Sequence, residues 1–188
     1  LTEHGMTDLA YRLLLNEEYP GWLHEVKLGA TTVWERWNSL DENGRISSTG
    51  MNSLNHYSYG AVLEWIFRHV AGIDVTEQGP GGKMMRISPK VDHKLGSASA
   101  VYDSASGCYR CGWQIENGDQ ITVTITVPFG AKAQVILPYA PDSVYHDTDN
   151  PLFETVENGI CCVKAGQYTV TYKAASPSKK SYSVDSTL

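Results

Sequence analysis

The residues best suited to chemistry lie in the first third of the chain. Thr31-Thr-Val-Trp-Glu-Arg-Trp37 sets one carboxylate, Glu35, between Trp34 and Trp37 and beside Arg36. Indole rings pack on the apolar C–H faces of a pyranose, and a carboxylate among them can move a proton, so this run suits a sugar-processing site. Further on, Asn52-Ser-Leu-Asn-His56-Tyr-Ser-Tyr59 gathers amides, hydroxyls and an imidazole ahead of an apolar stretch. Polar groups at the end of a buried helix point into a cavity or to a partner, because burying them without hydrogen bonds is costly. Both runs also have a plainer reading. The tryptophans can be core residues with Glu35 and Arg36 paired at the surface. Asn52 and Ser53 are good helix N-caps, and a single histidine such as His56 is commonly a hydrogen-bonded core residue.

The other candidate clusters point to packing and turns. Cys108-x-x-Cys111 has a metal-like or redox-like spacing, but it falls in an expected strand, where residues three apart face opposite ways. The adjacent Cys161 and Cys162 also face opposite ways, and no second such pair follows, so all four read as small apolar packing with no metal or cofactor. Asp147-Thr-Asp-Asn150 has oxygen ligands suited to calcium, yet it lacks the EF-hand pattern and reads as a turn.

The elements that must hold these residues change character along the chain. Up to about Gly72 the apolar residues recur at helical spacing. Met6, Leu9, Ala10, Leu13 and Leu14 share one helix face, which the NEEYPG run from Asn16 to Gly21 ends. A second helix is expected from about Thr31 to Trp37, capped by Thr31 or Thr32, before an Asp41–Gly44 turn. A third, capped by Asn52 or Ser53, carries Tyr57, Ala61, Leu63, Trp65, Ile66, His69 and Val70 nearly all round and meets Gly72 at its end. Three helices do not offer enough partners to bury all those faces.

From Asp74 the period shortens to two. Gly79-Pro-Gly-Gly82 is a loop, and seven short runs follow: 83–87, 95–102, 108–116, 120–127, 133–137, 159–163 and 168–172. Gln120-Ile-Thr-Val-Thr-Ile-Thr-Val127 alternates strictly, and Asn117-Gly118 before it is a hairpin turn signal. Asn158-Gly159 and Ala165-Gly166 mark further turns. The spacing implies an antiparallel β-sandwich. The Ser/Lys-rich stretch 174–188 is expected to be disordered.

Composition bounds the rest. With 188 residues, 41% hydrophobic, 19% charged and a net charge of −6, the chain can bury a core and is not of the disordered class. Mild acidity speaks against nucleic acid, and no apolar run approaches the roughly 20 residues of a membrane span. The chain starts at Leu1 with neither an initiator Met nor a signal-like segment, which reads as processing or as part of something longer. Four cysteines do not form a disulfide framework and demand no oxidising compartment.

The two helical-region motifs, Gly29-Ala-Thr-Thr-Val-Trp-Glu-Arg-Trp37 and Ser53-Leu-Asn-His-Tyr-Ser-Tyr-Gly60, resemble the closing segment of the catalytic domain of bacterial α-L-rhamnosidases, glycoside hydrolase family 78. The resemblance continues through Gly60-Ala-Val-Leu-Glu-Trp65, Ile87-Ser-Pro89 and Gly130-Ala-Lys-Ala-Gln-Val-Ile-Leu-Pro138, and so covers nearly the whole chain. It implies that 1–78 are the terminal helices of an incomplete (α/α)6 barrel and 79–173 a C-terminal antiparallel β-sandwich. It also implies inverting hydrolysis, in which a general acid protonates the departing oxygen while a general base activates water. By motif Glu35 corresponds to the general base and His56 to a residue hydrogen-bonding sugar hydroxyls, with Trp34 or Trp37 walling the pocket. The general acid matches nothing here, since Glu25 and Glu64 read as solvated or structural. The chain alone is therefore expected to be inactive. The partners implied are a rhamnose-containing glycoside and the upstream part of the barrel. Two other roles are weighed: a sandwich that binds carbohydrate on Trp113 or Tyr109 or merely braces the barrel, and a homodimer through exposed helix faces.

Overall fold

The computed structural model describes residues 1–47, 50–77, 79–146, 155–157 and 160–175. The expected turn at Asp147–Asn150, the turn at Asn158-Gly159 and all of the tail beyond 175 lie outside them. No helix among the described residues is long and apolar enough to cross a membrane.

The chain opens with a 3-10 turn, Thr2–His4, and helix α1, Thr7–Leu14, which buries Ala10 and Tyr11. α1 stops at the expected place. Asn16 there turns its side-chain amide onto the carbonyls of Glu18 (2.8 Å) and Pro20 (2.9 Å), which closes a turn rather than another helical repeat. A short helix, α2, follows at Trp22–Lys27.

The expected helix at 31–37 does not form. Val33, Trp34 and Trp37 have helical spacing, but Thr31, Thr32 and Val33 are consecutive β-branched residues, which lose side-chain freedom in a helix. The Thr32 hydroxyl donates to the Leu54 carbonyl instead. The backbone pairs across, with His56 N–H on Val33 O at 2.8 Å and Glu35 N–H on Ser53 O at 2.9 Å. The third helix is real but starts later than its expected caps. A 3-10 turn at Ser58–Ala61, an α-turn α3 at Val62–Trp65 and a π-turn at Ile66–Val70 run on from one another. Asn52 and Ser53 cap nothing: Asn52 bonds Ser39, and the Ser53 hydroxyl accepts the Asn55 N–H at 3.1 Å. This helix is also not buried all round, for Leu63 is 62% and Phe67 40% exposed while Val70 is buried.

Among the described residues nine strands follow: β1 (Ile73–Val75), β2 (Met84–Ile87), β3 (Ser97–Ser104), β4 (Gly107–Glu116), β5 (Gln120–Val127), β6 (Lys132–Val135), β7 (Thr155–Glu157), β8 (Ile160–Val163) and β9 (Gly166–Lys173). They form two sheets, ordered β1-β2-β6-β8-β7 and β3-β4-β5-β9. β1 and β7 are three-residue strands without an alternation to announce them. All pairs are antiparallel except β2 with β6, which is parallel, so the expected purely antiparallel sandwich needs that correction.

The alternation does what its period requires. Ile121, Val123, Ile125 and Val127 of β5 are buried, and Thr124 between them is exposed. Glu116 pairs with Gln120 around Asn117 (φ 51°) and Gly118 (φ 83°), the left-handed positions a tight hairpin needs. Met85, Ile87, Val135 and Val163 of one sheet and Tyr109, Trp113, Val123 and Val170 of the other share one core. Tyr109 and Trp113 are thus core residues and not an exposed sugar platform. Cys111 and Cys161 are buried while Cys108 and Cys162 are partly exposed, so each pair does face opposite ways.

The helical part is sutured to this core at its end. Trp113 Nε1 donates to the Val70 carbonyl at 2.7 Å inside the protein. Lys90 N–H reaches His69 O and Ser88 N–H reaches Gly72 O, both at 2.8 Å, and the Tyr11 hydroxyl donates to Lys90 O. Arg68 spans the junction as well, meeting Glu64 at 2.7 Å and Asp74 at 3.0 Å. Glu64 is therefore an exposed ion-pair partner.

Candidate functional site

The pairing of 33–35 with 53–56 brings the two chemistry-bearing runs side by side. Glu35 sits on the first strand of chain and His56 on the second. Besides the backbone bonds above, Glu35 Oε2 accepts the Ser53 N–H at 2.8 Å. Glu35 is half-buried and one of its oxygens is thereby fixed in direction. His56 Nδ1 accepts the Ser58 N–H at 3.3 Å, which leaves Nε2 as the ring's outward nitrogen. Its ring stacks on Tyr57, with centroids 5.4 Å apart and planes within 6°.

The flanking tryptophans differ. Trp34 is 3% exposed and is a packing residue within this chain. Trp37 is half-buried, stacked on Tyr59 at 3.9 Å and met edge-on by Trp22 at 5.1 Å. Trp22 Nε1 donates to Tyr59 O at 3.0 Å, which locks that aromatic group together. Tyr59 belongs to the polar run read from the sequence; Trp22 carried no signal of its own.

The amides of Glu35 and of the residue after it are both held from outside the run. The Glu35 N–H goes to the Ser53 carbonyl and the Arg36 N–H to the Ser39 hydroxyl at 3.2 Å. Ser39 Oγ in turn bonds Asn52 Oδ1 at 2.6 Å, and Asn52 Nδ2 returns to Ser39 O at 3.0 Å. Glu25 and Ser39 are the two buried polar or charged side chains among the described residues, 3% and 0% exposed. Burial raises the Glu25 pKa, the nearby Trp34 backbone amide opposing the shift, and Glu25 Oε1 is buried without a described partner. Of the two expectations for Glu25, solvated or structural, its burial excludes the first.

An open hollow of about 530 Å³ is lined by Thr32, Val33, Asn55, His56, Tyr57, Gly60 and Leu63. His56 therefore faces a cavity, whereas Glu35, Trp34 and Trp37 do not line this one. A larger cleft of about 680 Å³ between α1 and residues 92–94 mixes Asp8, Arg12, Glu17, Asp92 and Lys94 and contains none of the expected site residues. Among the described residues no group of three His, Cys, Asp or Glu is placed to hold a metal ion.

Comparison with known proteins gives this geometry a setting. Residues 1–70 match the family model of the bacterial alpha-L-rhamnosidase 6 hairpin glycosidase domain, and 72–150 that of the bacterial alpha-L-rhamnosidase C-terminal domain. The chain is 39% identical over 170 residues to an alpha-L-rhamnosidase of Alteromonas sp. (strain LOR), covering 89% of this chain and 18% of that protein. It is 36% identical over 167 residues to one of Streptomyces avermitilis, covering 88% and 16%. The crystal structure of the Streptomyces avermitilis enzyme complexed with L-rhamnose superposes with a TM-score of 0.77 at 34% identity, over 92% of this chain and 17% of that one. That of the Aspergillus terreus enzyme gives 0.75 at 28% identity, over 91% and 18%. The chain thus spans less than a fifth of the length of the relatives it matches.

Proposed function

The chain belongs to the bacterial α-L-rhamnosidase family, and from that premise we propose that it carries one half of the catalytic apparatus of an inverting hydrolase of terminal α-L-rhamnosides. Glu35 is the general base. With Oε2 committed to the Ser53 N–H, its other oxygen is the one that takes a proton from the attacking water. An inverting enzyme needs its second carboxyl group about 6.5–9.5 Å away to leave room for that water. No carboxylate among the described residues matches that role: Glu64 is an ion-pair partner and Glu25 is buried. The general acid belongs to a segment the family carries outside the stretch matched here.

His56 hydrogen-bonds rhamnose hydroxyls through Nε2. Trp37, which keeps exposed ring surface, walls the sugar site, with Trp34 packed behind it. The helical residues 1–78 are the closing part of an (α/α)6 barrel, whose remaining helices cover the exposed faces of Leu63 and Phe67. Residues 79–173 brace it as a sandwich. A purely carbohydrate-binding role for that sandwich is the weaker reading, because Tyr109 and Trp113 are buried.

The observation carrying this reading is the pairing that sets Glu35 and His56 on adjacent strands of chain, with the Glu35 carboxylate held by Ser53. The test is hydrolysis of an aryl α-L-rhamnoside by the 188-residue chain and by the full-length protein containing it. Turnover is expected only from the latter. Robust turnover by the chain alone, abolished by Glu35→Gln, would show that the chain needs no second carboxyl group from elsewhere.

A further inference from the structure

We infer that Ser39 and Asn52 are positioning residues for the general base: they close a circuit of bonds that returns to Glu35 at both its backbone and its carboxylate. The inference rests on the reading of Glu35 as the base. On the backbone side Arg36, the next residue, donates its N–H to the Ser39 hydroxyl at 3.2 Å and accepts the Ser39 N–H on its carbonyl at 3.1 Å. The Ser39 hydroxyl donates in turn to Asn52 Oδ1 at 2.6 Å, and Asn52 Nδ2 donates back to the Ser39 carbonyl at 3.0 Å. Asn52 precedes Ser53, whose N–H holds Glu35 Oε2 at 2.8 Å and whose carbonyl accepts the Glu35 N–H at 2.9 Å. The path from Glu35 through Arg36, Ser39, Asn52 and Ser53 back to Glu35 is therefore closed.

The chemistry of the two side chains fits placement better than turn formation. The 36–39 turn is already closed by the Ser39 N–H on the Arg36 carbonyl. What the hydroxyl and the amide add is a link from that turn to the segment that holds the Glu35 carboxylate. Ser39 is 0% exposed, and its hydroxyl both donates and accepts. Asn52 uses its oxygen and its nitrogen on that one residue, which fixes the amide in direction. A base must lie within hydrogen-bond reach of its water, and a displacement of about 1 Å can cost on the order of 10²-fold in rate. Opening the circuit at either side chain frees Arg36 and Ser53 to move relative to one another, and the direction of the Glu35 carboxylate moves with them.

The experiment is a set of variants in the full-length protein that contains this chain, hydrolysing an aryl α-L-rhamnoside below the melting temperature of each. Ser39→Ala and Asn52→Ala are each expected to lower kcat about 10- to 100-fold with KM within about threefold. The double variant S39A/N52A should lose no more than the worse single one, because either change opens the same circuit. The decisive arm combines Ser39→Ala with Glu35→Gln. A residue that acts through the Glu35 carboxylate costs nothing further once that carboxylate is gone, so E35Q/S39A should match E35Q within about twofold. A merely structural role would multiply the two losses instead. Trp113→Phe, which removes a buried hydrogen bond at the junction with the sandwich, controls for lost stability and should keep the parent kcat. S39A removes one oxygen and adds no bulk, so it carries the test if N52A does not fold. S39A at the parent kcat, or multiplied losses in E35Q/S39A, would overturn the inference while leaving the base assignment standing. An E35Q enzyme at the parent kcat would remove the base assignment first, and the positioning role with it.

Discussion

Replacing Trp113 by phenylalanine tests whether the helical part and the sandwich are held together by the buried bond at their junction. Trp113 is 3% exposed, and its Nε1 donates to the Val70 carbonyl at 2.7 Å. Phenylalanine keeps the ring and loses the donor, so the carbonyl at the end of the π-turn is left buried and unpaired, at about 1–3 kcal/mol. The smaller ring also leaves about 40 Å³ unfilled, which at about 24 cal/mol per Å³ adds roughly 1 kcal/mol. The sum is about 2–4 kcal/mol, or a fall in Tm of about 5–15 °C for a chain of this size. Urea titration followed by far-UV circular dichroism measures the first, and calorimetry the second. Phe129→Ala is the control, since Phe129 is 97% exposed and its loss should change stability by less than about 0.5 kcal/mol. A W113F protein within about 0.5 kcal/mol of the parent would refute the reasoning.

Other outcomes follow from single contacts. Gly72 has φ +81°, and a Cβ there would lie 2.2 Å from the Pro89 nitrogen, so Gly72→Ala should cost about 3 kcal/mol or more by denaturant titration. Cys111 and Cys161 are buried with thiol pKa values pushed up to about 12, so a thiol reagent at mild alkaline pH should label only Cys108 and Cys162 until the chain is unfolded. Burial raises the Glu25 pKa in the folded state, so its contribution is present in full below the ordinary glutamate range and is lost as pH rises through the raised value. The stability of the parent relative to E25Q should therefore decline over that interval, and a difference that is flat with pH would contradict the shift.

How much of this was legible in the sequence depended on whether the signal was local. β5 could be read residue by residue because its period of two is unbroken from Gln120 to Val127, and Asn117-Gly118 announced the hairpin. The parallel β2–β6 pair could not, because the partners Met85 and Ala133 are joined by tertiary packing and not by a turn. The 31–37 stretch misled because Val33, Trp34 and Trp37 mimic a helix face while the β-branched run and the Thr32 hydroxyl favour extended chain. The candidate site divided in the same way. Glu35 and His56 stand in motifs that resemble a known family, and the pairing of Val33 with His56 brings their segments together. Glu25 was passed over because a carboxylate on a short helix looks ordinary until the tertiary fold buries it.

The most direct test of the central claim is the kcat of Glu35→Gln in the full-length protein that contains this chain, measured on an aryl α-L-rhamnoside with circular dichroism confirming the fold. Loss of a positioned general base should lower kcat by about 10²- to 10⁴-fold with the fold and melting temperature preserved. A folded E35Q enzyme that keeps the parent kcat would remove Glu35 from the reaction and the proposed mechanism with it.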